Sequence, residues 1–168
     1  MKNSGFSMFE LLITVTIIGV VMGIAIPSMT EFIKNDRLST QINTMVGHLA
    51  FARSAAVTRH QQVVLCASDN YTSCSGSDWA DGWILFIDSD SDEGYSAGEE
   101  ILRVHQALPD GSTLTSSLGA LVVYDKRGFA PNSKGTFSLC DARGADFMKS
   151  LSISVTGRVR QGGSNSCS

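Results

Sequence analysis

Residues 1–27 read MKNSGFSMFELLITVTIIGVVMGIAIP, and they set the architecture of the whole chain. After a polar start containing Lys2, an apolar run from Phe6 to Ile26 carries one charge, Glu10. As a helix this run would span about 31 Å, which is enough to cross the hydrocarbon core of a bilayer. No small-x-small cleavage site follows it, so an ordinary secretory signal is not indicated. Lys2 predicts a cytoplasmic N-terminus, with everything after Pro27 outside.

Glu10 needs an explanation, because a carboxylate inside the bilayer costs roughly 2.5–3.5 kcal/mol on insertion scales. Cleavage after Gly5 would create a free α-amine on Phe6, four residues before Glu10. A neighbouring subunit could present that amine to the carboxylate, and the low dielectric would strengthen their attraction. Glu10 is therefore predicted to set the stagger in which such helices assemble.

The segment Gly5-Phe6-Ser7-Met8-Phe9-Glu10-Leu11-Leu12 resembles the prepilin leader junction of type IV pilins and type II secretion pseudopilins. In that family a prepilin peptidase cuts after the glycine and N-methylates the new first residue, here Phe6. The resemblance implies a leader at 1–5, a transmembrane and assembly helix at 6–27, and an extracytoplasmic globular domain at 28–168. It also implies residence in the bacterial inner membrane with that domain in the periplasm, and later assembly into a pilus exposed outside the cell.

The rest of the chain predicts one helix followed by short strands, an α+β arrangement. From Ser28 to Arg59 there is no proline, and apolar residues recur at helical spacing, so this segment should continue the anchor helix beyond a kink near Pro27. The stripe comprises Ile42, Met45, Val46, Leu49 and Ala52. The strand candidates are Gln62–Ala67, Trp83–Ile87, Ile101–His105, Leu121–Tyr124, Thr136–Leu139 and Leu151–Val155.

Two internal stretches resemble the GspH/FimT family. Asp81-Gly82-Trp83-Ile84-Leu85-Phe86-Ile87-Asp88 followed by Glu99-Glu100-Ile101-Leu102-Arg103 is similar to that family's G-W-x-x-F-x-D…E-x-I-L-R stretch. Tyr124-Asp125-Lys126-Arg127-Gly128 is similar to its F-x-x-x-G segment, with Tyr in place of Phe. The resemblance implies a type IV pilin-like fold, in which the long N-terminal helix packs on small antiparallel β-sheets.

The four cysteines, Cys66, Cys74, Cys140 and Cys167, are expected to form disulfides. None is spaced for a metal site, and an even number in an exported domain is typical of disulfide pairing. Three connectivities are open. We favour Cys66–Cys74, which closes a short loop, together with Cys140–Cys167, which ties the C-terminal tail to a core strand.

The acidic segment Asp88-Ser89-Asp90-Ser91-Asp92, with Glu99 at loop position twelve, resembles an EF-hand calcium loop. Position six is Glu93 rather than the glycine of that loop, and strands rather than helices flank it. We therefore predict a solvated turn, with a weak calcium site at Asp88, Asp90, Asp92 and Glu99 as the alternative.

Catalysis finds little support in the sequence. The three histidines are scattered, no serine lies in a G-x-S-x-G turn, and no glycine-rich phosphate loop follows a strand. We expect a protein that is not an enzyme and that needs no cofactor.

The charge is unevenly distributed. Residues 1–120 contain 6 Lys/Arg against 13 Asp/Glu, whereas residues 121–168 contain 7 against 3. Such asymmetry favours an acidic partner for the C-terminal part, although chance scatter over a solvated surface produces the same pattern.

The C-terminal arginines are the best candidates for that contact. If the strand from Leu151 to Val155 continued, Leu151, Ile153 and Val155 would face the core, and Arg158 and Arg160 would project together from the other face. Paired arginines suit phosphate oxygens, although charges also protect an edge strand from aggregation. The glycines Gly157, Gly162 and Gly163 are expected to let a ligand approach the backbone. The basic residues that could extend the patch are Lys149, Arg143, Lys134 and Lys126.

Gly157-Arg158-Val159-Arg160 also resembles the G-R-x-R motif of FimT-type minor pilins, which bind DNA in natural transformation. The resemblance implies a minor pilin that binds extracellular DNA without sequence preference through its phosphates. Its other partners would be other pilins in the filament, prepilin peptidase and, before assembly, the inner membrane. The alternative is a GspH-like minor pseudopilin with a structural, priming role in type II secretion.

Overall fold

The computed structural model describes residues 7–163 and residue 167, and it begins with one 52-residue helix, α1 (Met8–Arg59). The helix continues through Pro27, so the prediction that the anchor and the amphipathic segment form one helix is confirmed, while the kink near Pro27 stays a prediction. The chain forms two compact units whose boundary lies within α1: the first ends at Arg37 and the second begins at Leu38.

The part of α1 in the first unit is long and apolar enough to cross a membrane. Its large apolar side chains are exposed. The hydroxyls of Thr14 and Thr16 donate to the carbonyls of Leu11 and Leu12, so the helix itself satisfies these polar groups. That arrangement suits a lipid environment, where an unsatisfied polar group costs several kcal/mol.

In the second unit α1 buries the predicted apolar stripe. Ile42, Met45, Leu49 and Ala52 are almost fully buried, whereas Val46 is half-buried at the edge of the core. The spacing of these residues places them on one side of the helix, which covers the sheets. The stripe also extends further than predicted, to Leu38, Ala55 and Ala56.

Two four-stranded antiparallel sheets complete the second unit. The first has the strand order β3-β2-β1-β5, and the second has the order β4-β6-β7-β8. The strands are β1 (Gln62–Ala67), β2 (Gly82–Asp88), β3 (Ile101–Gln106), β4 (Ser112–Ser116), β5 (Leu121–Tyr124), β6 (Gly135–Asp141), β7 (Lys149–Ile153) and β8 (Val159–Gln161). All six predicted strands are present, with bounds shifted by up to two residues.

The sequence did not predict β4 or β8. β4 contains a single fully buried residue, Leu114, among serines and threonines, and β8 has only three residues. Neither segment has the apolar alternation on which a strand prediction depends. β4 is held by pairing with β6, and β8 is held by pairing with β7.

The predicted geometry of the C-terminal strand was wrong in one respect. β7 ends at Ile153; Leu151 and Ile153 are buried as predicted, but Val155 lies in a turn and is 44% exposed. Arg160 therefore belongs to a new strand, β8, that folds back on β7, and Arg158 lies immediately before that strand. The turn forms because Gly157 adopts a φ of +72°, a conformation that glycine takes without steric cost.

Candidate nucleic-acid interface

The two C-terminal arginines are placed by the β7–β8 hairpin. Its turn is closed by the Gly157 N–H, which donates to the Ser154 carbonyl (2.8 Å), and by the Ser154 N–H, which donates to the Arg158 carbonyl (3.0 Å). Arg160 then pairs with Ser152 across the hairpin. Arg158 immediately precedes β8; both arginines are exposed, and both line the same surface depression.

These arginines line a shallow depression of about 490 Å³ together with Lys134. We call it the basic trough, defined by Lys134, Arg158 and Arg160. No acidic residue belongs to its lining, and no ion pair to these three cations occurs within residues 7–163 and 167. The hydroxyl-bearing residues of the lining are Thr136, Ser152, Ser154 and Thr156.

The chemistry of the basic trough suits an anion with several oxygens. A guanidinium presents its N–H donors in a planar fork that matches two phosphate oxygens, and the lysine adds a third positive charge. The hydroxyls can donate to further oxygens. A ligand that carries repeated phosphates along a flexible backbone fits this set of donors.

Arg143, predicted to extend the patch, is used internally. Its guanidinium forms an ion pair with the carboxylate of Asp141 (2.7 Å) and lies 4.2 Å from the ring centre of Phe147. The Arg143 side chain is only 10% exposed. Its charge is therefore largely neutralised by Asp141, and it does not belong to the basic trough.

Lys126 and Lys149 are exposed but lie outside the lining of the basic trough. Lys126 lines a different cleft, of about 460 Å³, together with His60, Asp88 and Asp125. Lys149 begins β7 and pairs in register with Leu139. Of the four predicted supporting cations, the fold brings only Lys134 to the arginines.

The predicted glycines act in different ways. Gly157 is buried, and a Cβ there would lie 2.1 Å from the carbonyl oxygen of Gly128, so its backbone is packed against protein rather than left open for a ligand. Gly162 has open space around it, and Gly163 lies against the side chain of Thr136.

Both predicted disulfides are confirmed. Cys66–Cys74 has a Cα–Cα distance of 5.5 Å and closes the loop after β1. Cys140–Cys167 has a Cα–Cα distance of 5.9 Å and ties the tail beyond β8 to β6.

The acidic loop, residues 88–100, satisfies its own carboxylates. Asp88 is 2% exposed and also accepts a hydrogen bond from the side-chain amide of Gln62 (2.7 Å). The carboxylate of Asp88 accepts hydrogen bonds from the backbone N–H groups of Ser91 (2.7 Å) and Glu93 (3.0 Å). The carboxylate of Glu99 accepts from the backbone N–H groups of Ser89 (2.7 Å) and Ser96 (2.9 Å).

The calcium alternative rests on part of this loop. Carboxylate oxygens of Asp88, Asp90 and Glu99 lie within 4.8 Å of one another, whereas Asp92 is not in that group. Partial desolvation, together with the nearby carboxylates of Asp92 and Glu99, raises the pKa of Asp90. Internal hydrogen bonds hold Asp88 and Glu99 in place, and the solvated turn and its calcium alternative both stay predictions.

The N-terminal processing residues can be followed only in part. Gly5 and Phe6 lie outside the described residues. Glu10 lies in the first turn of α1, where its N–H donates to the carbonyl of Ser7 (3.1 Å), and its side chain is exposed. Its role in assembly stays a prediction.

A cluster of two histidines and a tryptophan was not predicted. The Trp83 indole N–H donates to Nδ1 of His48 (2.9 Å), and the His105 ring stacks on Trp83 with a centroid separation of 4.0 Å. Burial lowers the pKa of His48, and the neighbouring His105 and Arg103 lower it further. Burial also lowers the pKa of His105, although the hydrogen bond between its ring and the Gln106 carbonyl raises it in part. The three rings come from α1, β2 and β3, so no spacing in the sequence connects them.

Comparisons with known proteins agree on the type of fold. Residues 41–157 match the family described as type II transport protein GspH, and residues 1–26 match the prokaryotic N-terminal methylation motif. The chain is 28% identical over 167 residues to the pilin-like protein PilA1 of Thermus thermophilus, covering 95% of this chain and 99% of that protein.

Among solved structures, the type IV minor pilin FimU of Pseudomonas aeruginosa gives a TM-score of 0.59 at 22% identity, covering 79% of this chain and 92% of FimU. The minor pseudopilin EpsH of the Vibrio cholerae type II secretion system gives 0.57 at 12% identity, covering 78% of this chain and 99% of EpsH. The predicted α+β, type IV pilin-like fold is therefore confirmed. The matched GspH region ends at residue 157, so it excludes Arg158 and Arg160.

Proposed function

Because the chain belongs to the family described as type II transport protein GspH and carries the N-terminal methylation motif, we propose that it is a minor pilin of a type IV pilus that binds extracellular DNA for uptake. Family membership places the chain among minor pilins and pseudopilins, which are filament subunits. The DNA-binding part is supported by one observation: Lys134, Arg158 and Arg160 line one depression and lack a carboxylate partner among the described residues.

Binding through the basic trough would be dominated by phosphate contacts and would show little base preference. Each phosphate neutralised releases counterions, so affinity should fall steeply with salt, by a log–log slope of about −0.9 per contact on duplex DNA. A single copy makes few such contacts and should bind weakly. Several copies in one filament would raise the effective concentration and therefore the avidity.

The proposal includes the route by which the chain reaches the filament. Prepilin peptidase removes residues 1–5 and methylates Phe6, residues 6–27 hold the subunit in the inner membrane, and residues 28–168 form the exported domain. In the filament, Glu10 pairs with the α-amine of a neighbouring pilin. The apolar helix and the methylation motif support this route.

The test is DNA binding by the full chain in neutral detergent micelles, titrated at two salt concentrations. The variant Arg158→Gln/Arg160→Gln removes two charges from the basic trough, and Lys126→Gln/Lys149→Gln removes two exposed charges outside it. We expect the arginine variant to lose most of its affinity and to show a salt slope smaller by roughly 2, while the lysine variant stays close to the native chain. Circular dichroism checks that all three proteins fold.

Two results would contradict the proposal. If the native chain does not bind DNA even at low salt, the basic trough has no role in DNA capture. If the two double variants lose affinity equally, binding follows net charge and not the arrangement around β8.

The second candidate is a minor pseudopilin that primes a type II secretion filament. It is favoured by the family description and by the fold shared with EpsH, because neither involves the two arginines. Absence of DNA binding, together with secretion loss on deletion in a host that has such a system, would support this candidate.

A further inference from the structure

The segments around Gly128 and Gly157 meet at the residue that immediately precedes Arg158. The carbonyl oxygen of Gly128 would lie 2.1 Å from a Cβ at Gly157, and the Tyr124 ring would lie 3.1 Å from it. Close by, the Ala130 N–H donates to the Val155 carbonyl (2.9 Å). The turn that precedes β8 is therefore packed against the loop after β5, with no room for a side chain between them.

Helix α1 supports this contact from the other side. Arg53 Nε donates to the Gly128 carbonyl oxygen (3.0 Å), the same atom that faces Gly157. A Cβ at Gly128 would lie 2.8 Å from Val57 and 3.2 Å from Arg53, and Gly128 has a φ of +79°. Both glycines are thus required by close approach as well as by backbone conformation.

We infer that Arg53, Gly128 and Gly157 form a seat that fixes the position of Arg158 and Arg160. β8 has only three residues in register with β7, which is too little pairing to hold an edge strand rigidly. Its far end is held by the Gly162 N–H, which donates to the Ser150 carbonyl (2.8 Å). The seat holds its near end, immediately before Arg158.

The consequence for binding follows from geometry. Two arginines bind one phosphate backbone well only when both guanidinium groups are presented together, because each free side chain loses rotamer entropy on binding. A seat that fixes the start of β8 keeps both groups on one side of the basic trough. Arg53 is then a positioning residue: it acts through Gly128 and need not contact DNA.

The inference rests on the proposed function for its link to DNA, so its test has two separate readouts in the full chain in micelles. The first is amide hydrogen exchange over residues 154–161, and the second is DNA affinity with its salt slope. Gly157→Ala introduces the clash with Gly128, whereas Gly144→Ala introduces a side chain at a similar φ of +90° with nothing within 4 Å. Arg53→Met removes the donor and one charge, and Arg59→Met removes one charge from the same helix away from the seat.

We expect Arg53→Met to speed exchange over residues 154–161 by about tenfold or more, as loss of a charged hydrogen bond implies. Gly157→Ala should also speed it, because its side chain clashes with Gly128, and the amides of β1 and β2 should be unchanged. Both variants should weaken DNA binding and lower the salt slope, while Arg53→Lys restores part of the loss. Gly144→Ala and Arg59→Met should leave exchange over this segment unchanged.

The outcomes are distinguishable. If hydrogen exchange over residues 154–161 is unchanged in both Gly157→Ala and Arg53→Met, the seat is overturned, whatever the DNA affinity of the variants. Faster exchange with native-like DNA binding overturns the positioning role. A native chain that does not bind DNA defeats the proposed function, and the exchange data then decide whether the seat holds the hairpin.

Discussion

The acidic loop and the basic trough are two charged regions of opposite sign, and they differ in whether their charges have partners within the fold. In the acidic loop, backbone N–H groups and Gln62 satisfy Asp88 and Glu99. In the basic trough, none of the three cations has an acidic partner in the described part of the chain. A run of like charges is therefore a candidate binding site only where the fold leaves those charges without internal partners.

The same distinction separates cations that the sequence placed in one group. Arg143 and Lys134 were both predicted to extend the patch, yet Arg143 is paired with Asp141 while Lys134 lines the basic trough. Sequence distance from the arginines does not distinguish Arg143 from Lys134. What distinguishes them is the partner that each contacts in the folded chain.

The largest expected effect tests the structural role of the acidic loop. Asp88→Ala should lower the free energy of unfolding by about 3 kcal/mol, because it leaves partly buried donors without a charged acceptor. DNA affinity should not change. Chemical denaturation of the full chain in micelles measures the first quantity, and Asp90→Asn, on an exposed residue of the same loop, is the matched control. A variant as stable as the native chain would show that the internal hydrogen bonds of the loop contribute little.

A smaller effect should separate Lys134 from Arg143. Lys134→Gln should leave stability within about 0.5 kcal/mol of the native value, as expected for an exposed site, and lower the DNA salt slope by about 0.9. Arg143→Gln should instead lower stability and leave the DNA salt slope unchanged, because it leaves the half-buried Asp141 without its ion pair. Thermal unfolding gives the stability of both variants, and salt titrations of DNA binding give their salt slopes. If both variants change the salt slope equally, an ion pair with a carboxylate does not prevent a cation from binding DNA.

The smallest expected effect is on the pH dependence of stability, and it comes from the cluster of His48, His105 and Trp83 rather than from either charged region. Burial lowers the pKa values of His48 and His105, so the folded state favours their neutral forms. Stability should then begin to fall as the pH drops below the ordinary imidazole value of 6.5, and stop falling once the folded-state pKa values are passed.

Melting temperatures between pH 8 and pH 5 check this prediction. His48→Gln keeps an acceptor for the Trp83 indole but does not titrate, so its melting temperature should depend less on pH than that of the native chain. His60→Gln changes a histidine outside the cluster and is the control substitution. Equal slopes in all three proteins would remove the cluster as the cause.

Much of the fold could be predicted because it depends on neighbours in the sequence. The apolar run before Pro27, the stripe from Ile42 to Ala52 and six strands follow from local periodicity. β4 and β8 escaped prediction because long-range pairing, rather than their own composition, makes them strands. For the candidate site, the two arginines and Lys134 were predicted, whereas the exclusion of Arg143 and the contribution of Arg53 depend on contacts between distant segments.

The sequence by itself determined the anchor helix, the α+β order of elements and the residues that could carry a phosphate site, because each depends on the type and spacing of nearby residues. Only the tertiary structure decided that β7 ends at Ile153, that Gly157 packs on Gly128, and which charges are neutralised. The physical reason is how far apart in the sequence the interacting residues lie. Secondary structure follows local sterics and hydrophobic spacing, whereas charge pairing depends on a few ångströms between atoms that only folding brings together.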